Sequence, residues 1–197
     1  MARPPRFTDD DILDGAAEAL AARGRGVTIA DIARTIDGPS GSIYHRFESR
    51  DEVLARLWLR SIRRFHAGLL PTYDLPDPAD AIAAAARHVV GFCADHPLDA
   101  RAMLLFRQPE LAASGPDRIR EEAAHINDAI DAGSERLVVR RYGRASDRRR
   151  ELMMIATRLG PYGLVRPFIG GRIPPYLGDA VAVSALAICE LGDRATE

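Results

Sequence analysis

Apolar residues recur every three or four positions along almost the whole chain, and this spacing limits the fold more than any other feature. One run holds Ile12, Leu13, Ala16 and Leu20, which places all four side chains on one face of a helix. The alternation of apolar and polar residues that is typical of half-buried strands is almost absent, and no hairpin signal separates the apolar runs. The sequence therefore predicts an all-α protein.

The apolar runs and their flanking residues predict about nine helices. Thr8 precedes the first helix, which ends at Gly24, and Thr28 precedes the second, which ends at Asp37-Gly38. The others are predicted at 39–47, 49–70, 79–95, 97–107, 116–142, 146–168 and 175–194, with a loop over 71–78 and a kink at Gly160-Pro161.

The predicted helix over 49–70 is long enough to join two domains. Ser49 and Glu52 have the S-x-x-E spacing of a capping box, which marks its start. At 1.5 Å per residue the helix extends for roughly 30 Å. The sequence therefore predicts a three-helix amino-terminal domain over 1–48 and a helical bundle over 49–197.

Composition limits the class of protein further. The chain has 197 residues, of which 47% are hydrophobic and 28% are charged, as in a soluble globular protein with a sizeable core. Two cysteines exclude a disulfide-stapled scaffold. No run approaches the roughly 18 apolar residues of a membrane span, and the first residues lack an apolar signal core. We expect a soluble, cytoplasmic protein.

Charge is balanced over the whole chain. All 27 basic residues are arginines, and the net charge is −1. Residues 1–64 hold 11 arginines and 10 carboxylates, so no broad positive field covers the amino-terminal part. An anionic partner must therefore be bound by locally placed arginines, whose planar guanidinium groups suit phosphate.

The segment from Thr28 to Glu52 carries the most functional information. Two short predicted helices are separated by a tight turn, which is typical of a helix-turn-helix unit. Such a unit inserts its second helix into the major groove of DNA. Small residues at the start of that helix permit a close approach, and donors that can reach phosphate oxygens follow them. The small residues are Ser40, Gly41 and Ser42, and the donors are Tyr44, His45, Arg46 and Arg50.

The same segment resembles the amino-terminal domain of TetR/AcrR-type transcriptional regulators. The matching residues are TIADIA at 28–33 and PSGSIYHRFESRDEVL at 39–54. In that family the pattern is T-x-x-x-I-A, a turn, and then G-x-L/I-Y-x-H-F-x-S-K-x-x-L. This sequence departs from it at three places: Arg50 replaces the usual lysine, Arg46 replaces a common histidine, and Asp37-Gly38 replaces the usual Gly-Val turn.

The resemblance implies a role for each matching position. Contacts to DNA phosphates are implied for Thr28, Tyr44, Arg46 and Arg50, and contacts to base edges for Ser40, Gly41, Ser42 and His45. Tyr44 has packing as an alternative role, Ile43 and Phe47 are expected in the core, and Ser49 is expected to cap a helix. Arg3 and Arg6 can reach a minor groove as an arm, although an untethered tail is the better expectation.

The predicted last helix has one face of small and apolar residues. With residues of the preceding helix this face can form a dimer interface, as in TetR-like proteins, or it can close the core of the monomer. The residues on the last helix are Ala180, Val183, Ser184, Ala187, Ile188 and Leu191, and those on the preceding helix are Leu152, Ile155, Ala156 and Leu159.

The resemblance further implies that the bundle binds a small-molecule effector. Candidate lining residues are apolar, aromatic or sulfur-containing, with a few polar side chains as anchors. They are Phe65, Phe92, Cys93, Met103, Phe106, Met153, Met154 and Tyr162, with His66, His88, Arg158 or His125 as anchors.

Catalysis is not expected, because the five histidines lack metal-ligand spacing and neither a phosphate loop nor a G-x-S-x-G elbow is present. No metal and no cofactor are predicted. The sequence predicts a ligand-responsive transcriptional repressor that binds a palindromic DNA operator as a homodimer. The alternatives are an activator of the same architecture, or a helical protein-interaction or small-molecule-binding module that does not bind DNA.

Overall fold

The computed structural model describes residues 7–194, and its regular elements within that range are helices, which confirms the all-α fold class. Arg3 and Arg6 lie outside the described residues. No helix in this range has both the length and the apolar character needed to cross a membrane. In chain order the helices are α1 (Asp9–Arg23), α2 (Ile29–Thr35), α3 (Ser40–Tyr44), α4 (Arg50–Tyr73), α5 (Pro78–Asp95), α6 (Pro97–Met103), α7 (Gln108–Ser114), α8 (Asp117–His125), α9 (Asp128–Tyr142), α10 (Asp147–Met154), α11 (Gly160–Val165) and α12 (Leu177–Asp193).

The chain forms two compact units. The first unit consists of the chain up to Ile62 together with Leu98–Ile126, and the second consists of Arg63–Pro97 together with the chain from Asn127 onward. Helix α4 contributes residues to both units. The compact unit that contains α1 to α3 is therefore larger than the predicted domain 1–48, and the functional division at residue 48 stays a prediction.

The first unit begins with a capped helix. Thr8 accepts a hydrogen bond from the Asp11 amide at 3.1 Å, and the Asp11 carboxylate accepts one from the Thr8 amide at 2.7 Å. This reciprocal pair is a capping box, and it starts α1 at the predicted place. The apolar face of α1 then packs, with Ile32, Ile43 and Trp58, into one hydrophobic core.

The turn between α2 and α3 is a Schellman motif with an unusual residue. The Gly38 amide donates to the Ala33 carbonyl at 2.9 Å, and the Asp37 amide donates to the Arg34 carbonyl at 3.3 Å. Asp37 has a φ of 48°, the left-handed conformation that glycine usually adopts at this position. A Cβ on Gly38 would lie 2.7 Å from Phe7 Cε2, so a larger residue there would have to displace the Phe7 ring. The predicted tight turn is confirmed.

The first half of α4 is bonded to helices that follow it in the chain. The buried Ser61 hydroxyl donates to the buried Asp99 carboxylate at 2.6 Å, and Trp58 Nε1 donates to the Met103 carbonyl at 3.3 Å. Arg118 on α8 forms an ion pair with Glu48 at 2.9 Å. These bonds include α6 and α8 in the same unit as α1, α2 and α3.

The second unit is a helical bundle in which α5 packs most extensively against α12. Both helices bury alanines, among them Ala81 and Ala85 on α5 and Ala182 and Ala185 on α12, and such small side chains permit close packing of two helices. The buried Tyr73 hydroxyl lies 3.3 Å from Thr157 Oγ1 in the interior.

Three sequence predictions about helix boundaries were wrong. Helix α4 continues past Pro71 to Tyr73, because the buried Tyr73 anchors the last turn despite the lost amide donor and the steric crowding that a proline causes in a helix. Helix α7 lies in a segment where no helix was predicted. The predicted helix 116–142 is divided into α8 and α9 at Ile126 and Asn127. A π-helical turn, Ile155–Leu159, lies directly before Gly160-Pro161 and separates α10 from α11, and the kink itself stays a prediction.

Candidate nucleic-acid interface

Helix α3 buries one face and exposes the other. Ile43 and Phe47 are buried in the core, as predicted, and they hold the short helix against α1 and α4. Tyr44 is 58% exposed, which argues against the alternative that it is mainly a packing residue. His45 is also exposed, and Ser40 and Ser42 are half-buried. The helix therefore presents a small, polar and aromatic surface to solvent.

Gly41 contributes open space to this surface. A Cβ built at Gly41 would have no heavy-atom neighbour within 4 Å, so internal packing does not require glycine here. The missing side chain leaves the backbone of α3 open to close approach by another molecule.

Thr28 has a structural role at the start of α2. Its amide donates to the Asp31 carboxylate at 3.0 Å, its hydroxyl donates to the same carboxylate at 2.7 Å, and the Asp31 amide donates to the Thr28 hydroxyl at 3.2 Å. These bonds form a capping box. The Thr28 side-chain hydrogen bond, followed by that of Arg34, lowers the pKa of Asp31 from its ordinary 3.8 to about 2.

We expect an NMR titration of the Asp31 carboxyl carbon to have its midpoint near pH 2. Because the folded-state pKa is lowered, the stabilisation from this carboxylate is complete above its ordinary pKa of 3.8 and is lost as the pH falls towards 2. In a Thr28→Ala variant the midpoint should rise towards 3.8. A midpoint unchanged by that substitution would show that Thr28 does not hold the carboxylate.

The two arginines predicted to bind phosphate already make bonds within the protein. Arg46 forms an ion pair with Asp9 and donates to the Phe7 carbonyl at 2.7 Å. It therefore joins the end of α3 to the start of α1. A guanidinium group has five N–H donors in a fixed fork, so these bonds leave donors that can face a further acceptor.

Arg50 braces the start of α4 in a similar way. Its Nε donates to the Val27 carbonyl at 2.5 Å, and its terminal nitrogens donate to the Arg25 carbonyl and, at 2.8 Å, to the Asp51 carboxylate. Sequence reasoning missed this bracing, since no motif signals a backbone carbonyl more than 20 residues away. The part of each arginine in DNA binding stays a prediction.

Ser49 caps α4, as predicted. The Glu52 amide donates to the Ser49 hydroxyl at 3.1 Å, and the Glu52 carboxylate accepts from the Glu48 amide at 2.7 Å. Glu52 thus reaches back one residue further than a standard capping box requires. These two bonds fix the segment between α3 and α4 at its α4 end.

The structure brings together only part of the predicted effector set. Ring centroids of Phe65 lie 5.1 Å from His88, 5.3 Å from Phe92 and 5.8 Å from His66. His88 Nε2 lies 2.9 Å from the Phe65 carbonyl oxygen, and burial lowers the pKa of His88. Burial raises the pKa of the Cys93 thiol to about 11. These residues form an aromatic and histidine cluster in the second unit.

The remaining predicted effector residues are dispersed. Met103 and Phe106, together with the exposed His125, belong to the first unit. In the second unit, Met153 is buried, Met154 and Tyr162 are half-buried, and Arg158 forms an ion pair with Asp131 at 2.9 Å. The effector site as a set stays a prediction. Among residues 7–194, no group of three or more histidine, cysteine or acidic side chains is placed to hold a metal ion.

The exposed α3, the tight turn and the capped α2 define a helix-turn-helix DNA-binding protein. Residues 12–57 match the family described as bacterial regulatory proteins, tetR family. This match covers the helix-turn-helix part of the chain, so residues 12–57 are similar to the DNA-binding domain of that family. No curated protein matches the sequence.

Solved structures share the fold over nearly the whole chain. A transcriptional regulator from a Rhodococcus species has a TM-score of 0.74 and 19% identity, covering 94% of this chain and 97% of that chain. PfmR, a TetR family regulator from Thermus thermophilus, has a TM-score of 0.68 and 19% identity, covering 97% and 98%. The ketosteroid transcriptional regulator KstR2 of Mycobacterium tuberculosis has a TM-score of 0.67 and 20% identity, covering 95% of each chain.

Proposed function

We propose that this protein is a ligand-responsive transcriptional repressor that binds a palindromic DNA operator as a homodimer. The observation that carries the proposal is the exposed face of α3, with Gly41, Tyr44 and His45 presented to solvent on a helix that Ile43 and Phe47 anchor from behind. A helix held in this way can enter a major groove without losing its packing.

In the proposed complex, Ser40, Gly41, Ser42 and His45 face base edges, and Tyr44 and Thr28 face phosphates. Arg46 and Arg50 contact phosphate through guanidinium N–H groups that are not used in hydrogen bonds within the protein. The internal hydrogen bonds of the two arginines hold their side chains in position. Two copies of α3 must then lie about 34–36 Å apart, or a multiple of that distance, to reach successive turns of one duplex.

The proposed dimer interface is the exposed face of α12. Val183 is 67% exposed and Leu191 is 42% exposed, and Ala187 is exposed between them. Leu159, the last residue of the π-helical turn before α11, is 55% exposed. Ala156, which was predicted on the same face, is buried inside its own unit and is left out of the interface. The exposure of these residues supports dimerisation over closure of the monomer core, since a second copy would cover them.

Helix α4 is the proposed transmitter between the effector and DNA. It carries Arg50 at one end and Phe65 towards the other, and the Ser61–Asp99 and Trp58–Met103 bonds tie it to α6. An effector regulates only if it binds the DNA-incompetent state more tightly than the DNA-bound state. We propose that the effector does so at the aromatic and histidine cluster around Phe65.

The test uses a duplex selected by the wild-type protein from genomic fragments. Tyr44→Ala is expected to weaken binding of this duplex at least about tenfold, equivalent to 1.4 kcal/mol, because a phosphate contact at the groove is lost. Binding is measured by fluorescence anisotropy at fixed salt. Tyr176→Ala, at a 70% exposed tyrosine outside α3, is the matched control and should bind like the wild type.

Equal binding by the Tyr44→Ala and wild-type proteins would refute the assignment of α3 as the reading helix. Failure to select any duplex would favour the module without DNA binding. A reporter gene behind the selected operator separates a repressor from an activator, since only a repressor lowers its expression. Arg50→Ala is a weaker test of DNA binding, because it also removes the hydrogen bond from Arg50 to the Val27 carbonyl.

A further inference from the structure

A cavity of about 640 Å³ lies inside the first unit. One wall comes from Arg25 and from the start of α4, and the other comes from the segment between Leu105 and Pro116. The volume falls within the range of small-molecule sites. None of the histidines or methionines predicted for the effector site lines this cavity; of that predicted set, only Phe106 does.

The cavity has an apolar side. Leu54, Leu105 and Leu111 belong to the hydrophobic core and contribute to the lining, and the half-buried Phe106 lies with them. Leu54, Leu105 and Leu111 are only 2%, 7% and 3% exposed. A ligand therefore gains free energy mainly from the apolar area that it covers on half-buried residues such as Phe106. This side therefore fits a hydrocarbon body.

The cavity also has a charged side, where one cation lacks a counter-ion. Arg50 is paired with Asp51 at 2.8 Å. The exposed Arg25 donates to the neutral Leu104 carbonyl at 2.5 Å, and it forms no ion pair within residues 7–194. Glu110 is exposed in the first turn of α7, where the amino-terminal end of a helix favours a negative charge. Arg25 is therefore the cation of this cavity that is available to pair with an anionic ligand.

We propose that this cavity binds a small amphipathic carboxylate, with the carboxylate on Arg25 and the hydrocarbon chain against Leu54, Phe106 and Leu111. An Arg–carboxylate pair can be bidentate, which adds orientation to the attraction between charges. The site is separate from the proposed effector cluster around Phe65. Ligand binding at this site does not require DNA, so this proposal can be tested independently of operator binding.

The test titrates the full-length protein with octanoate and, separately, with octylammonium, which has a similar chain and the opposite charge. Calorimetry is expected to detect octanoate binding and weaker or no octylammonium binding. Arg25→Gln should weaken octanoate binding about tenfold, because a charge-assisted bond is lost. Arg107→Gln, at an exposed arginine that does not line the cavity, is the matched control and should bind octanoate like the wild type.

Methyl NMR of the wild-type protein locates the probe even if a variant folds poorly. Octanoate should shift the methyl resonances of Leu54, Leu105 and Leu111 before those of the second unit. Octylammonium binding as tight as octanoate binding would overturn the proposal. So would an Arg25→Gln affinity equal to that of the wild type, or shifts confined to leucines outside the cavity.

Discussion

Replacing Ala187 with arginine is expected to convert the proposed dimer into monomers. Ala187 lies on the exposed face of α12, between the exposed Val183 and Leu191. A guanidinium in the middle of an apolar interface would be desolvated and unpaired, at a cost of several kcal/mol. Sedimentation velocity at micromolar protein concentration should therefore show a single species of about half the wild-type mass.

The same variant should bind the operator at least about 100-fold more weakly. Two DNA-binding units held in one dimer bind a palindromic operator at least that much more tightly than a single unit does. Ala113→Arg is the control, because Ala113 is exposed on α7, in the first unit and outside α12. It should sediment like the wild type. A dimeric Ala187→Arg protein would exclude this face of α12 as the interface and leave closure of the monomer core as its explanation.

Gly15→Val is expected to destabilise the first unit by about 3 kcal/mol, the upper part of the range for overpacked cores. Gly15 lies on α1 where α2 crosses it, and a Cβ at this position would overlap the Cγ2 methyl of Ile36. Neither helix can move away easily, because Ile12 and Ile32 are completely buried beside them. Urea unfolding followed by circular dichroism measures the loss.

A double-mutant cycle separates this clash from the change in helix propensity, which favours valine over glycine. Ile36→Ala removes the Cγ2 methyl, so Gly15→Val combined with Ile36→Ala should be more stable than the sum of the two single changes, by about 0.5–3 kcal/mol. Gly41→Val, where a Cβ meets open space, should change stability by no more than about 0.5 kcal/mol. If the losses in unfolding free energy of the two single variants simply add in the double variant, the clash between residue 15 and Ile36 does not contribute to the destabilisation.

Local signals in the sequence predicted most of the first unit. Thr8, Thr28 and Ser49 all cap helices in the structure, since a cap depends only on residues within the same turn. The burial of Ile43 and Phe47 followed from their spacing of four residues. The resemblance to a known family then added the proposal that α3 reads DNA, which apolar spacing alone does not specify.

Contacts between distant residues could not be predicted in this way. The partners of Arg46 and Arg50 include the carbonyls of Phe7 and Val27, and every residue offers the same carbonyl. Helix α7 was missed because Leu111 is its single buried residue, so it has no apolar period to detect. The place of Phe106 in the first unit likewise depends on contacts between residues far apart in the sequence, which the sequence pattern does not show.

The discontinuous core of the first unit has a consequence for protein synthesis. That core combines Ile12 and Ile43 with Ile119 and Ala123. A ribosome adds roughly 5–20 residues per second, so for several seconds the nascent chain holds α3 without the residues that complete its core. We expect the reading helix to become competent only after residue 123 has left the exit tunnel. A polypeptide that ends before Ile119 would therefore carry α3 on an incomplete core, and we expect it to be less stable than the full chain.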